Sequence, residues 1–209
     1  NALTEMEANL SRFAWQNTIY HHLSYINETG KEFFRLNNED SQITIVESEF
    51  LQVKSHRDFF KQTMKMKDGE FYVSNIHLLK ENNKIITPYK PVLSYATPVF
   101  YPSGNRAGIF LLTSDAQSFL AGIDSTRQGE SGTLHLVDKD GYFFLNPDTS
   151  KLWGRDLESG ITLNSILDKK SVQQTLSPMD GHNFAERNLI CHVKFVPPGK
   201  SDTYWKLLN

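Results

Sequence analysis

The stretch PVLSYATPVFYPSGNRAGIFLLTSD, Pro91–Asp115, decides how this chain folds. Its second half contains GIFLLT, which is continuously apolar. A strand of that composition must be covered on both faces, so it is read as the central strand of a sheet, with Asp115 at its end. PVLSYATPVFY before it is a second strand-like run, and Pro102-Ser103-Gly104-Asn105 supplies turn chemistry between the two. Working outward, FYVSNIHLL (Phe71–Leu79) and KIITPYKP (Lys84–Pro91) are two more such runs, parted by Glu81-Asn82-Asn83. HLSYINETGKEFFRLN (His22–Asn37) reads as two strands around Glu28-Thr29-Gly30, where Gly30 can take the positive φ of a tight hairpin. Helices are predicted over 51–66 and 115–124, and residues 38–50 read as a polar connection.

The C-terminal part repeats this arrangement in smaller form. TLHLVDKDGYFFLNPD (Thr133–Asp148) is a hairpin turning at Asp138-Lys139-Asp140-Gly141. A helix is predicted over 162–176, followed by strands in HNFAERN, LICHVKFV and TYWKLL, with Pro197-Pro198-Gly199 in the last turn. The small polar run STRQGES (Ser125–Ser131) marks a boundary between the two units. At the N-terminus Leu3, Met6, Leu10, Phe13 and Tyr20 form a helical stripe, which suits packing on the chain's own sheet or on a second copy. The fold class is α+β, with each unit a sheet decorated by helices.

At 209 residues the chain can bury one large core or two of about 100 residues each. A formal charge of −2, with 22 Lys+Arg evenly mixed among 24 Asp+Glu, offers no phosphate-binding surface, so nucleic acid is not an expected partner. One cysteine, Cys191, cannot form an internal disulfide. No apolar run reaches the ~18 residues of a membrane span. The chain lacks an initiator Met and ends in an apolar strand, so it is read as a segment of a longer protein.

Motifs that would bring chemistry fail on spacing. KFVPPGKS (Lys194–Ser201) ends like a phosphate loop but begins with Lys194 instead of Gly, and its prolines lack the amide donors such a loop needs. DKDGYFFLNPDT (Asp138–Thr149) shares two aspartates with a calcium loop. Its Gly falls at the fourth place rather than the sixth, and Thr149 stands where the closing Glu belongs. His21 and His22 point to opposite faces of a strand and cannot grip one metal unaided, and no HExxH, CxxC or GxSxG occurs. Ser55 and His56 are sequence neighbours without the geometry of a nucleophile and its base. The segment is read as non-enzymatic, with no metal and no cofactor.

Several pieces in one order, YINETGKEFFRL, KSHRDFF, GEFYVSNIHL, ITPYKPVLSYATPVFYPSGNRAGIFLLTSD and GTLHLVDKDGYFFLNPD, cover most of residues 20–150. Together they resemble the double Cache sensor domains, the tandem PAS-like extracytoplasmic regions of bacterial sensor histidine kinases, diguanylate cyclases and chemoreceptors. YWKLL (Tyr204–Leu208) is similar to the last strand before such proteins re-enter the membrane. The resemblance implies a long N-terminal helix (1–24), a membrane-distal Cache module (25–124) and a membrane-proximal one (125–209), each a mixed or antiparallel sheet flanked by helices. It implies the periplasmic portion of an inner-membrane protein, anchored by flanking helices absent from this sequence. It also implies a homodimer through the N-terminal helix, and a small-molecule ligand whose binding reaches a cytoplasmic output domain, a histidine kinase in the first place.

In amino-acid-sensing members of that family, an Arg-x-aromatic-aromatic element on the pocket helix grips the ligand carboxylate, and an Asp ending the central strand holds its amine. Arg57-Asp58-Phe59-Phe60 matches the first and Asp115 the second. Gln52 stands near the family's Tyr, and Phe59-Phe60 replaces Trp-Tyr, so the implied ligand is a small organic anion or amino-acid-like compound. The residues themselves support the same site. A guanidinium is a planar fork suited to a carboxylate, and burying it empty is costly. Tyr72 and Ser74 share one strand face, with Tyr95 on an adjoining strand. The expected ligand-binding set is Arg57, Phe59, Tyr72, Ser74, Tyr95 and Asp115. The sequence equally allows Arg57 on a solvated helix face and Phe59 and Phe60 as plain core, which would make this a ligand-free interaction or scaffolding domain. His135, Tyr142 and Asn146 are the candidates of the second unit.

Overall fold

Asn17 ends the first helix. Its side-chain amide donates to the Phe13 carbonyl (2.8 Å), and α1 (Ala2–Gln16) stops there rather than running to residue 24. The chain enters β1 (Tyr20–Asn27) instead, because this segment lies between two neighbours that satisfy its backbone on both edges. The structure, a computed structural model, describes residues 2–39, 42–126, 132–185, 188–199 and 203–209. The boundary read at 125–131 therefore lies mostly outside the described residues, as do parts of the turns read at 38–50 and 194–201 and of the strand run HNFAERN.

β1 turns through Gly30, at φ +83°, into β2 (Glu32–Glu39). The polar connection yields an edge strand, β3 (Gln42–Ile45), paired to β2. The helix predicted over 51–66 shrinks to α2 (Asp58–Thr63). Residues 52–54 are held extended beside the β1–β2 turn: Glu32 N–H donates to Gln52 O (2.9 Å), and Lys54 N–H donates to Gly30 O (2.7 Å). FYVSNIHLL is two short strands, β4 (Tyr72–Val73) and β5 (His77–Leu78). The interruption follows from Ser74, whose hydroxyl accepts the Ser94 N–H (2.9 Å) in place of a backbone carbonyl. A ribbon of β6 (Lys80–Glu81) and β7 (Lys84–Ile85) precedes the long β8 (Pro91–Phe100) and β9 (Arg106–Asp115). α3 (Gln117–Ser125) closes the unit.

The second unit comprises β10 (His135–Asp138), β11 (Phe143–Leu145), α4 (Lys169–Thr175), β12 (Gly181–Ala185), β13 (Asn188–Phe195) and β14 (Trp205–Leu208). The helix predicted over 162–176 begins only at Lys169, where Asp168 accepts from the Lys170 and Ser171 amides. The large sheet runs β3-β2-β1-β9-β8-β4, with β5 also on β8, and the smaller one runs β11-β10-β14-β13-β12. Setting aside edge strand β3, both follow one order: second, first, fifth, fourth, third. β9 lies between β1 and β8, as its apolar run requires.

One face of the large sheet carries α1, with Met6, Leu10 and Ala14 on Leu23, Phe34 and Leu36 of the same chain. The opposite face packs Ile26, Tyr72, Ala96, Ile109 and Leu111 against Phe60 and Met66. A third cluster joins the units: Ile76, Leu78, Ala116 and Leu120 meet Leu136, Phe144, Trp153 and Trp205.

Candidate ligand-binding site

Where the units meet, a cavity of about 480 Å³ opens beneath α2. Arg57, Phe59, Tyr72 and Ser74 line it, brought together by the start of α2 and by β4. Tyr95 and Asp115 do not. Ser94 lines the cavity from β8, so Tyr95, its neighbour along the strand, points to the other side of the sheet. The Asp115 carboxylate is turned to the end of α3. It accepts from the Gln117 N–H (3.0 Å) and from the Ser118 N–H (3.4 Å) and hydroxyl (3.3 Å), binding amides left open at a helix start. Arg57 and Asp115 therefore do not converge in one concavity.

Tyr142, a candidate of the second unit, lines the cavity too, but the sequence reading missed the rest of the wall that unit supplies, which includes Trp153, Arg155 and Asp156. It also missed Lys54, His77, Ser94 and Thr113. Ser94 Oγ and Thr113 Oγ1 lie 3.3 Å apart on facing strands, a pair that follows from β8–β9 register.

Four cations line this cavity, and three have carboxylate partners. Lys54 Nζ is 2.6 Å from Glu32, Lys80 Nζ 3.1 Å from Asp156, and Arg155 Nη2 2.7 and 2.6 Å from Asp138 and Asp140. Arg57 forms no ion pair with a described carboxylate. Its Nη1 donates weakly to Asn83 Oδ1 (3.4 Å), and its guanidinium lies 6.0 Å from the centre of the Phe59 ring. Of the two lining carboxylates, Asp156 is doubly engaged, by Lys80 and by the Leu78 N–H (3.0 Å).

Two of the lining histidines, His77 and His22, are held neutral. His77 Nδ1 lies 2.9 Å from the Asn75 carbonyl, which can only accept, so the proton is on Nδ1 and the lone pair on Nε2. Burial pushes its pKa down. His22 is lowered to about 3, by burial first and then by the charges of Arg35 and Lys54. Glu81 is 3.6 Å from His22 Nε2 but is already bound by Arg35 (3.2 Å) and Gln52 (3.2 Å), so it offsets little.

A pH dependence follows. The folded value of His22 lies below the unfolded one near 6.5, so between those values the unfolded chain binds the extra proton. The stability is complete above pH 6.5 and is lost as pH falls toward 3. At roughly 1.4 kcal/mol per unit, acidifying to pH 4 should cost up to about 3 kcal/mol from this group. Denaturant titrations at stepped pH should show that slope, and His22→Gln should flatten it. A wild-type profile flat between pH 6.5 and 4 would contradict the assignment.

A cavity walled by two units can enclose a small molecule between them. The chain belongs to the bacterial histidine kinase sensor domain family, whose sequence model matches residues 2–202. It is therefore a sensor domain and not a catalytic one. No functionally curated protein matches it in sequence. Among solved structures it is similar to a domain of a sensory box/GGDEF family protein from Vibrio parahaemolyticus, at 20% identity and TM-score 0.79, covering 99% of this chain and 77% of that one. The extracellular domain of vpHK1S-Z8, assigned as a histidine kinase, is likewise 20% identical with TM-score 0.77, over 99% and 73%. The ligand-binding domain of the Pseudomonas aeruginosa PAO1 amino acid chemoreceptor PctC, solved with GABA, is 14% identical with TM-score 0.60, over 97% and 80%. Among the described residues no helix is long and apolar enough to cross a membrane, and no group of three His, Cys, Asp or Glu could hold a metal ion.

Proposed function

We propose that this domain binds a small organic anion in the cavity between its units and reports occupancy to a cytoplasmic output domain, a histidine kinase in the first place. The observation that carries the reading is Arg57, the one lining cation without a described carboxylate partner, set half-buried beside Phe59. A guanidinium so placed favours a planar, doubly accepting anion. Tyr72, Ser94 and Thr113 offer hydroxyls, and His77 offers a neutral ring, for the rest of the molecule. The GABA-bound PctC domain supports the same class, although Asp115, expected to hold an amine, is turned to the start of α3. The two units are read as PAS-like Cache modules, the first membrane-distal and the second proximal. A homodimer through α1 fits the exposure of Trp15 (63%) and Phe13 (41%), since the inner side of that helix is occupied by its own sheet.

Coupling of about 1–3 kcal/mol between occupancy and unit arrangement is enough to bias a two-state signal. Thermal unfolding in the presence of hydroxy acids, dicarboxylates, amino acids and GABA tests the binding. A specific ligand at 100 times its Kd should add ~2.7 kcal/mol. Arg57→Ala should weaken that ligand roughly ten- to hundredfold, the size of a charge-assisted hydrogen bond. If no compound shifts the transition, or Arg57→Ala leaves the shift unchanged, the ligand-free interaction domain becomes the better reading.

A further inference from the structure

The second unit holds its own cavity of about 450 Å³, separate from the one proposed to sense. It opens where His135 on β10 lies opposite Leu208 on β14, and both line it. That place repeats the first unit, in which His22 on β1 lies opposite Thr113 on β9, and both line the first cavity. The repetition extends to the wall formed at the helix between second and third strands. Arg57 and Phe59 supply it at α2, and Ile166 and Leu167, just ahead of α4, supply it here.

Two polar groups of this cavity are unsatisfied. Asn146 is 6% exposed, and its Oδ1 accepts the Asp148 N–H (2.9 Å), which fixes the amide orientation and leaves Nδ2 as the open donor. That Nδ2 is buried without a partner among the described residues, and so is His135 Nδ1. A buried donor left without an acceptor is costly, and native structures supply one. The His135 ring rests 5.8 Å from Phe143 and is kept neutral by burial, with the charge of Lys151 adding to the effect. Lys151 itself is matched by Asp148 at 2.9 Å. The remaining walls are largely aliphatic, among them Leu189, Ile190 and Leu208.

We infer that this cavity is a second ligand site, which takes a short aliphatic monocarboxylate whose head accepts from Asn146 Nδ2 and His135 Nδ1 while its chain lies on Ile190 and Leu208. Calorimetric titration of the whole domain with butyrate and isovalerate, and with their primary amides as neutral counterparts, tests it. The carboxylates should bind saturably and better than the amides. Asn146→Asp keeps the acceptor for the Asp148 amide but replaces the donor with a negative charge, and should weaken binding roughly ten- to hundredfold. His135→Phe should weaken it less, and Arg57→Ala should leave it within about twofold, which separates this site from the first cavity. Absence of saturable binding, preference for the amides, an Asn146→Asp variant that binds like wild type, or loss of binding in Arg57→Ala would each overturn the assignment.

Discussion

Glu32→Ala should destabilise the domain by roughly 3–5 kcal/mol, the cost of leaving a buried charge without its counter-ion. Glu32 is 1% exposed and gathers four partners: Lys54 Nζ at 2.6 Å, Arg35 Nη1 at 3.8 Å, the Ser24 hydroxyl at 3.2 Å and the Gln52 N–H at 2.9 Å. Arg35 keeps Glu81 at 3.2 Å when Glu32 is removed, but among the described residues Lys54 has no second carboxylate at such a distance. Burial already lowers the Lys54 pKa, and Glu32 is the main influence raising it. Glu32→Gln retains an acceptor for the Gln52 N–H and should cost less than Ala. Equilibrium urea unfolding measures both. The double variant Glu32→Leu with Lys54→Met should recover most of the loss, because it removes both charges together. A double variant as unstable as Glu32→Ala would show that packing, not charge, is what Glu32 supplies. Under the proposed function the same pair bears on recognition, since Lys54 lines the first cavity and its charge is matched by Glu32, whereas Arg57 has no described carboxylate partner.

The backbone plan was legible wherever local composition leaves few options. GIFLLT had to be covered on both faces, and it is: Ile109 and Leu111 pack with Phe60 and Met66, while Phe110 and Leu112 lie against the cluster of α1. Gly30 had to turn, and does so at φ +83°. The helix boundaries were not legible where tertiary bonds override periodicity. Residues 52–54 read as helix by spacing, but their backbone is taken by Glu32 and Gly30. β4 and β5 read as one strand because no pattern announces that a serine hydroxyl will replace a carbonyl in the ladder. Asp115 carried a signal that was available: an acid two residues before a helix is a common partner for its first amides, and that role competes with ligand binding. The missing half of the cavity, from Phe143 to Asp156, depends on how two units dock, and alternation within one strand cannot report that. Arg57, Phe59, Tyr72 and Ser74 were brought together because neighbouring elements of one unit suffice to place them.

Trp205→Ala should cost about 3–5 kcal/mol, as truncation of a buried Trp does, and should also loosen the two units from each other. Trp205 is 1% exposed on β14 and belongs to the cluster that both units share. Its ring stacks on Phe195 with centroids 5.5 Å apart and meets Phe119 of α3 at 5.6 Å. Its Nε1–H donates to Asn75 Oδ1 (2.8 Å), while Asn75 Nδ2 donates to Asp138 Oδ2 (3.0 Å), so the second unit holds both ends of one side chain of the first. Asn75 sits between Ser74 and Ile76 in the lining of the first cavity, so any shift of that wall is felt at β14 through a pair of direct bonds. Trp205→Phe separates packing from this link: most of the apolar contact is kept, and the lost donor should cost about 1–3 kcal/mol. Urea unfolding followed by amide exchange distinguishes the two effects. In wild type, protection of β9 and β14 should fall together, whereas in Trp205→Ala the second sheet should open at lower denaturant than the first. A Trp205→Ala variant that loses under 1 kcal/mol, or whose sheets still open together, would show that the units are joined elsewhere.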